Sequence, residues 1–69
     1  METIKLREDY IKLGQALKAA GLAQSGVDAK HIIEDGLVSV NGEKAFQRGK
    51  KLTDGDVVTY NGETIKIVR

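Results

Sequence analysis

The sequence predicts an α+β domain in which two helices pack on one side of a small antiparallel sheet of three to five strands. Apolar residues recur at helical spacing in the first half of the chain, and after Gly36 their period changes to two. Two Asn-Gly dipeptides, Asn41-Gly42 and Asn61-Gly62, indicate tight hairpin turns. Helices followed by hairpin strands are typical of a sheet covered by helices on one face. The 69 residues are expected to form a single domain, residues 1–69.

The first two elements are a short strand and a helix. Apolar and polar residues alternate over residues 3–6, which predicts a strand. We expect Asp9 to cap the helix that follows, because a carboxylate accepts hydrogen bonds from free N–H groups and favours the positive end of a helix. That helix spans residues 13–20 and ends at Gly21. Its apolar face carries Leu13, Ala16, Leu17 and Ala20.

A second helix is predicted from Ser25 to Asp35. The Ser25 hydroxyl can accept a hydrogen bond from the backbone three residues later, and Asp28 can reach back toward the start of the helix, as in a capping box. Gly36 ends the helix. Its buried face carries Ala29, Ile32 and Ile33.

Strands and turns account for the rest of the chain. Val38 and Val40 alternate with a serine before the first Asn-Gly turn. Residues 45–51 are irregular and basic, and residues 52–56 form a turn. The last two strands are expected at residues 57–60 and 64–68, joined by the second Asn-Gly turn.

Composition excludes several classes of site. The chain contains no cysteine and a single histidine, so neither a disulfide framework nor a Cys/His metal site is expected. Its apolar runs are far shorter than the roughly 20 residues that a membrane helix requires. The charged, β-branched segment 2–6 does not resemble an export signal. We therefore expect a cytoplasmic protein without a cofactor, a metal or a membrane contact.

Charge is distributed unevenly although the formal net charge is only +1. Residues 43–51, called here the basic segment, carry Lys44, Arg48, Lys50 and Lys51 against the single acid Glu43. Arginine binds phosphate through two parallel hydrogen bonds, and lysine binds it as a point charge. An anionic ligand is therefore expected on the basic segment and away from residues 28–35, which are net acidic. The alternative is a solvated loop that keeps a small protein soluble.

These features, taken in order, resemble the RNA-binding domain first recognised in ribosomal protein S4. In that family a basic residue and a leucine open the first helix, and Gly-Leu-Ala-x-Ser-Arg-x-x-Ala, two apolar residues, Gly-x-Val-x-Val-Asn-Gly and Leu-x-x-Gly-Asp-x-Val follow. The matching residues span about 12–60 and are Lys12-Leu13, Gly21-Leu22-Ala23, Ser25, Ala29, Ile32-Ile33, Gly36, Val38, Val40-Asn41-Gly42, Leu52, Gly55-Asp56 and Val58. The resemblance implies a non-catalytic protein that binds structured RNA.

The chain departs from the family pattern at two positions. Gly26 stands where the family has an arginine after the serine, and Gly14 stands where it has an aspartate. Ser25-Gly26 and Arg48-Gly49-Lys50-Lys51 instead resemble a stand-alone bacterial subgroup, the YaaA/YbcJ type, in which the glycine is usual and a basic cluster follows the hairpin. This resemblance implies that the basic segment supplies part of the missing charge. It also implies a monomer that binds ribosomal RNA or ribosomal particles during ribosome maturation.

The candidate RNA-binding residues combine the basic segment with the family positions. Lys30 and His31 lie early in the second helix, whose free N–H groups attract anions, although the simpler interpretation of His31 is an ordinary exposed residue. Tyr10 and Tyr60 are expected to pack in the core, whereas Phe46 could pack or stack on a base. The full set of candidates is Lys12, Ser25, Lys30, His31, Lys44, Arg48, Lys50 and Lys51.

Two other functions remain open on the sequence. A winged helix-turn-helix DNA binder fits the helix–helix–hairpin order, but its recognition helix would be net acidic, whereas such helices bring basic and amide side chains to the major groove. A protein-interaction module could accept a partner strand at a sheet edge. An enzyme is not indicated, because no nucleophile–base pair can be assembled and Asp54 and Asp56 are expected to shape a turn.

Overall fold

The structure, a computed structural model, describes residues 2–69 and has the predicted α+β class. Each helix bound lies within one residue of the prediction. The elements are β1 Glu2–Lys5, β2 Ile11–Lys12, α1 Leu13–Ala19, α2 Gly26–Glu34, β3 Val38–Val40, β4 Glu43–Lys44, β5 Lys51–Leu52, β6 Val57–Tyr60 and β7 Glu63–Val68.

Five strands form one sheet in the order β1-β7-β6-β3-β4. Antiparallel pairing, as predicted, joins β3 to β4, β3 to β6 and β6 to β7. Asn41 and Gly42 make the β3–β4 turn with φ values of 52° and 85°, the left-handed pair that a type I′ turn requires. At the other edge β1 runs parallel to β7, with Ile4 opposite Ile67, so the sheet is mixed there and not antiparallel as expected. No short turn joins β1 to β7, so no local signal sets their relative direction.

A two-stranded sheet, β2–β5, is the element that the sequence pattern does not indicate. It pairs Lys12, directly before α1, with Lys51, which lies in the segment that was expected to be irregular. Because β2 occupies this position, Asp9 does not cap α1, contrary to the prediction. The Asp9 carboxylate instead accepts a hydrogen bond from the Arg69 guanidinium at 3.3 Å.

The start of α2 has the predicted cap. The Ser25 Oγ accepts a hydrogen bond from the Asp28 N–H at 3.1 Å. The Asp28 carboxylate also reaches back, but to the N–H of Gln24 at 3.0 Å, one residue before the cap. Two backbone donors at the turn between the helices are therefore satisfied by short local side chains.

One apolar core lies between the helices and one face of the five-stranded sheet. Tyr60 packs against it as predicted. Tyr10 does not, since 37% of its surface remains exposed and the Lys51 ammonium lies 4.8 Å from the centroid of its ring. The largest fully buried side chains are Leu13, Leu17, Ile33, Val38, Leu52, Val58, Ile65 and Ile67.

The opposite face of the sheet is turned away from the helices. Lys66 lies on this face, since it alternates with the buried Ile65 and Ile67 along β7. Lys5 lies on the same face, because it pairs with Val68, which follows Lys66 by two residues in β7. Both lysines are exposed and line none of the three concavities described below, so they serve as controls.

Candidate nucleic-acid interface

Backbone hydrogen bonds fix the basic segment against the beginning of α1. The carbonyl of Lys50 accepts a hydrogen bond from the N–H of Leu13 at 2.8 Å, and the carbonyl of Arg48 accepts one from the N–H of Gly14 at 3.0 Å. The first N–H groups of a helix have no partner within the helix, so these carbonyls satisfy donors that would otherwise need a cap or water. The loop that carries the cations is thus positioned by the helix itself.

A first concavity, the helix concavity, lies where the beginnings of α1 and α2 meet the basic segment, and its volume is about 350 Å³. Lys12, Lys18 and Arg48 line it, and no carboxylate is among its described lining residues. The other lining residues are Gly14, Gln15, Gly26 and Gly49. Cations that surround a concave surface without an acid focus a positive potential on it.

Glycine backbone forms much of the floor of the helix concavity. A Cβ atom on Gly26 or on Gly49 would have no other heavy atom within 4 Å, so the space above both residues is open. A Cβ atom on Gly14 would meet the Arg48 Cβ at 3.4 Å, which is ordinary contact. An anion can therefore approach the backbone closely at Gly26 and Gly49, with Arg48 beside it.

Two more concavities follow along the basic segment. The central concavity, of about 360 Å³, is lined by Lys30, Glu34, Phe46, Gln47, Arg48 and Gly49. The hairpin concavity, of about 570 Å³, is lined by Val40, Asn41, Glu43, Lys44, Ala45, Phe46, Gln47 and Lys50. Each of them holds two cations and one carboxylate.

The three concavities form one continuous track. Arg48 and Gly49 line both the helix and the central concavity, and Phe46 and Gln47 line both the central and the hairpin concavity. Within residues 2–69 the ion pair found joins Arg69 to Asp9, outside this track. The cations that line the track are therefore free to bind an external anion, and they are Lys12, Lys18, Lys30, Lys44, Arg48 and Lys50.

Comparison with known proteins places this chain in a family. The family model described as the S4 domain matches residues 4–68. The chain belongs to the S4 domain family. The resemblance found in the sequence is thereby confirmed, and the match extends beyond residues 12–60 at both ends.

Two curated relatives of this S4 domain have similar length. The chain is 44% identical over 59 residues to the probable ribosome maturation protein RlbA of Bacillus subtilis, covering 86% of this chain and 83% of that protein. It is 30% identical over 69 residues to the putative RNA-binding protein YbcJ of Escherichia coli, covering 99% of both. The proposed subgroup is confirmed by the second match.

Solved structures agree with the fold. The solution structure of Escherichia coli YbcJ, reported to reveal an "ALFAL" motif involved in RNA binding, superposes with a TM-score of 0.76 at 30% identity, covering 100% of this chain and 89% of that one. The 30S ribosomal protein S4e of Thermoplasma acidophilum superposes with a TM-score of 0.70 at 24% identity, covering 84% of this chain and 31% of that one. The second likeness establishes the fold alone.

The two departures from the S4 pattern meet in one place. Gly14 and Gly26 both line the helix concavity. The family pattern has an aspartate at the first position and an arginine at the second, so this S4 domain lacks one charge of each sign. The pair of differences leaves the local net charge unchanged, and no carboxylate lines the concavity within the described residues.

The structure brings most of the sequence-predicted site residues onto the track. Lys12, Lys30, Lys44, Arg48 and Lys50 line it. The remaining three lie outside the three concavities, and they are Ser25, whose hydroxyl caps α2, His31, exposed on α2, and Lys51, whose ammonium lies over Tyr10.

Sequence reasoning missed Lys18 and Gln15, which line the helix concavity beside Lys12. A signal for them exists, because Lys12, Gln15 and Lys18 are spaced three residues apart and residues at that spacing share one side of a helix. It also missed Gln47, whose side chain offers both donors and an acceptor between the central and hairpin concavities.

One carboxylate near the hairpin has a shifted pKa. The pKa of Asp56 is lowered, chiefly because the Thr53 N–H donates to its Oδ2 at 2.8 Å and then because the Asn41 amide donates to its Oδ1 at 3.0 Å. Attraction to Lys50 lowers it further. Asn41 in turn accepts from the Val57 N–H at 2.9 Å. The carboxylate therefore shapes this turn, as expected, and ties it to the β3–β4 hairpin.

Within residues 2–69, no group of three or more His, Asp and Glu side chains is arranged to hold a metal ion. Neither α1 nor α2 is long and apolar enough to cross a membrane.

Proposed function

We propose that this S4 domain is a non-catalytic RNA-binding protein that holds the backbone of a structured RNA along the three concavities. The observation that carries the proposal is the continuous track of six cations, none of them paired with a carboxylate within residues 2–69. Arginine and lysine at such a surface neutralise phosphates and release counterions, which supplies most of the affinity for a nucleic acid. The name of YbcJ, a putative RNA-binding protein, supports RNA as the ligand.

We further propose ribosomal RNA as that RNA, with a role in ribosome maturation, as the name of the Bacillus subtilis relative suggests. The protein would act as a monomer in the cytoplasm on ribosomal particles. Aromatic residues are scarce, with two tyrosines and one phenylalanine. This scarcity favours recognition of the shape and backbone of a folded RNA over the reading of many splayed bases.

The test is a salt titration of RNA affinity with a site variant that removes three cations and a control variant that removes two. The site variant is K12Q/K18Q/R48Q, and the control variant is K5Q/K66Q on the opposite face of the sheet. If three phosphate contacts are lost, the slope of log affinity against log salt falls by about 2–3, since each contact contributes roughly 0.7–0.9. Fluorescence anisotropy with a labelled ribosomal RNA hairpin measures both affinity and slope.

The control variant should bind the hairpin with the wild-type slope. Equal losses of affinity per removed charge in the site and control variants would mean that only net charge matters, and the track would then not be the interface. Crosslinking in bacterial cells, followed by sequencing of the attached RNA, identifies the ligand. A footprint on ribosomal RNA that is lost in the site variant would support the finer proposal, and messenger RNA alone would refute it.

The winged helix-turn-helix alternative makes a different prediction in the same assay. The second half of α2 presents Glu34, and Asp35 follows it, so the body of this helix is poorly suited to the major groove of DNA. Tighter binding to duplex DNA than to the hairpin at equal salt would favour that alternative over the S4-type surface.

A further inference from the structure

Phe46 is an exposed aromatic side chain in the middle of the cationic track. It is the single phenylalanine of the chain, and 58% of its surface is exposed. Burying a large aromatic ring would stabilise a core this small, because aromatic side chains contribute the most apolar area. The fold instead leaves the ring between the central and hairpin concavities, where it lines both.

The Phe46 ring is positioned by contact with the backbone of Gly36. A Cβ atom on Gly36 would lie 3.3 Å from the Phe46 Cε1 and 3.8 Å from its Cζ, so the ring edge rests directly on the backbone of Gly36. Gly36 has φ of +74°, a conformation that other residues rarely adopt, and the ring and the backbone turn therefore both favour glycine there. The N–H of Ala45, the residue before Phe46, donates to the Val38 carbonyl at 3.0 Å and so fixes this part of the backbone to the sheet.

Cations flank the ring on both sides. Lys44 and Lys50 line the hairpin concavity, and Lys30 and Arg48 line the central concavity. A nucleotide whose phosphates are bound on this track would bring its base within reach of the ring. Gln47, which lines both concavities, offers amide donors and an acceptor to the edge of such a base.

We propose that Phe46 is a stacking platform for one unpaired base of the bound RNA, with Gln47 at the edge of that base. This inference rests on the proposed function and deepens it, because it makes a bulged or looped-out nucleotide part of the recognised structure. The occupant is a nucleobase, because the cations around the ring bind phosphates and so bring the base of the same nucleotide to the ring. Stacking of this kind tolerates any base, since every base has a π face.

The test compares two RNA hairpins of identical stem sequence, one fully paired and one carrying a single bulged 2-aminopurine. F46L keeps an apolar side chain of similar reach but cannot stack, whereas F46W keeps an aromatic face. F46L should lose roughly 5- to 150-fold in affinity for the bulged hairpin, the range measured for one stacked base, and about nothing for the paired hairpin. F46W should retain the preference for the bulge and quench the 2-aminopurine fluorescence as the wild type does.

Each other outcome overturns the inference in a recognisable way. Equal affinity of F46L and wild type for the bulged hairpin would refute stacking while leaving the proposed function intact. Equal losses of F46L on both hairpins would assign Phe46 a general apolar contact or a folding role, which a thermal melt separates. Failure of the wild-type protein to bind either hairpin, or any ribosomal RNA hairpin, would refute both the proposed function and the platform.

Discussion

Replacing Asp56 with asparagine should destabilise the fold although the two side chains have the same shape. The carboxylate accepts two hydrogen bonds, from the Thr53 N–H at 2.8 Å and from the Asn41 amide at 3.0 Å. The Asn41 amide cannot turn over, because its oxygen accepts the Val57 N–H at 2.9 Å. An asparagine at position 56 has one acceptor oxygen for two donors, so one donor would face its NH₂ group.

The expected loss of stability is about 2 kcal/mol. Hydrogen bonds to a charged group are worth about 1.5–3 kcal/mol each, and this carboxylate is partly exposed, so water offsets part of the loss. In a chain of this size, a change of about 1 kcal/mol moves the melting temperature by roughly 4–8 °C, so a fall of about 8–16 °C is expected. Urea and thermal unfolding followed by circular dichroism measure both quantities.

The pH dependence gives the same prediction a second, independent check. The pKa of Asp56 is lowered in the folded state, so the unfolded chain binds this proton more readily. The stability that the carboxylate contributes is therefore fully present above its unfolded pKa, near 3.8, and is lost as the pH falls through the lower folded pKa. The difference between wild type and D56N should be largest near neutral pH and should shrink below about pH 4.

Asp54 provides a matched control in the same turn. Its carboxylate accepts a single hydrogen bond, from the backbone N–H of Arg69 at 2.8 Å, at the last residue of the chain. An asparagine at position 54 keeps an acceptor oxygen for this single donor, so D54N should cost only about 0.5 kcal/mol. The reasoning would be refuted by equal losses in D54N and D56N at neutral pH, or by a wild-type–D56N difference that stays constant down to pH 2.

Three further changes test other parts of the structure. S25A removes the cap on the Asp28 N–H and should cost about 1 kcal/mol in urea unfolding, with RNA affinity otherwise unchanged. G26R restores the arginine of the S4 pattern where the space is open, so it should fold normally and steepen the salt slope of hairpin binding by about 0.7–0.9. K51Q removes the cation from the Tyr10 ring and should cost about 0.5–1 kcal/mol of stability while leaving that slope unchanged, whereas a flatter slope would return Lys51 to the site.

The parts of the fold that sequence could predict are those set by neighbours in the chain. The Ser25 cap, the two Asn-Gly turns and the apolar faces of both helices depend on residues within about four positions of one another. The antiparallel directions of β3 with β4 and of β6 with β7 follow from those turns. Local chemistry was sufficient for each of them.

The parts that escaped prediction depend on pairing between distant residues. The direction of β1 is set by its pairing with β7 at the other end of the chain. The β2–β5 ladder joins Lys12 to Lys51, and no periodicity in either two-residue strand indicates it. The mistaken cap at Asp9 follows from that omission, because β2 occupies the residues between Asp9 and α1.

The same omission explains why the residues that line the track differ from the predicted set. A linear count of charge places Lys51 with its neighbours in the basic segment, but in β5 its ammonium is directed to Tyr10. Lys18 looked isolated in the chain, yet the hydrogen bonds of Leu13 and Gly14 to the basic segment bring Arg48 onto the same concavity. Only the non-local pairing decides which cations share a surface.

The way in which the cationic track is positioned also separates RNA affinity from the stability of the fold. The track is positioned by backbone hydrogen bonds, such as those from Leu13 and Gly14 to the carbonyls of Lys50 and Arg48, and those bonds do not depend on which side chains the carbonyls' residues carry. The cations repel one another and pair with no carboxylate within residues 2–69, so removing them relieves repulsion and breaks no ion pair. K12Q/K18Q/R48Q should therefore be at least as stable as the wild type while its RNA affinity falls. A site variant that lost both RNA affinity and stability would show that the cations help to hold the fold. That result would refute this reasoning.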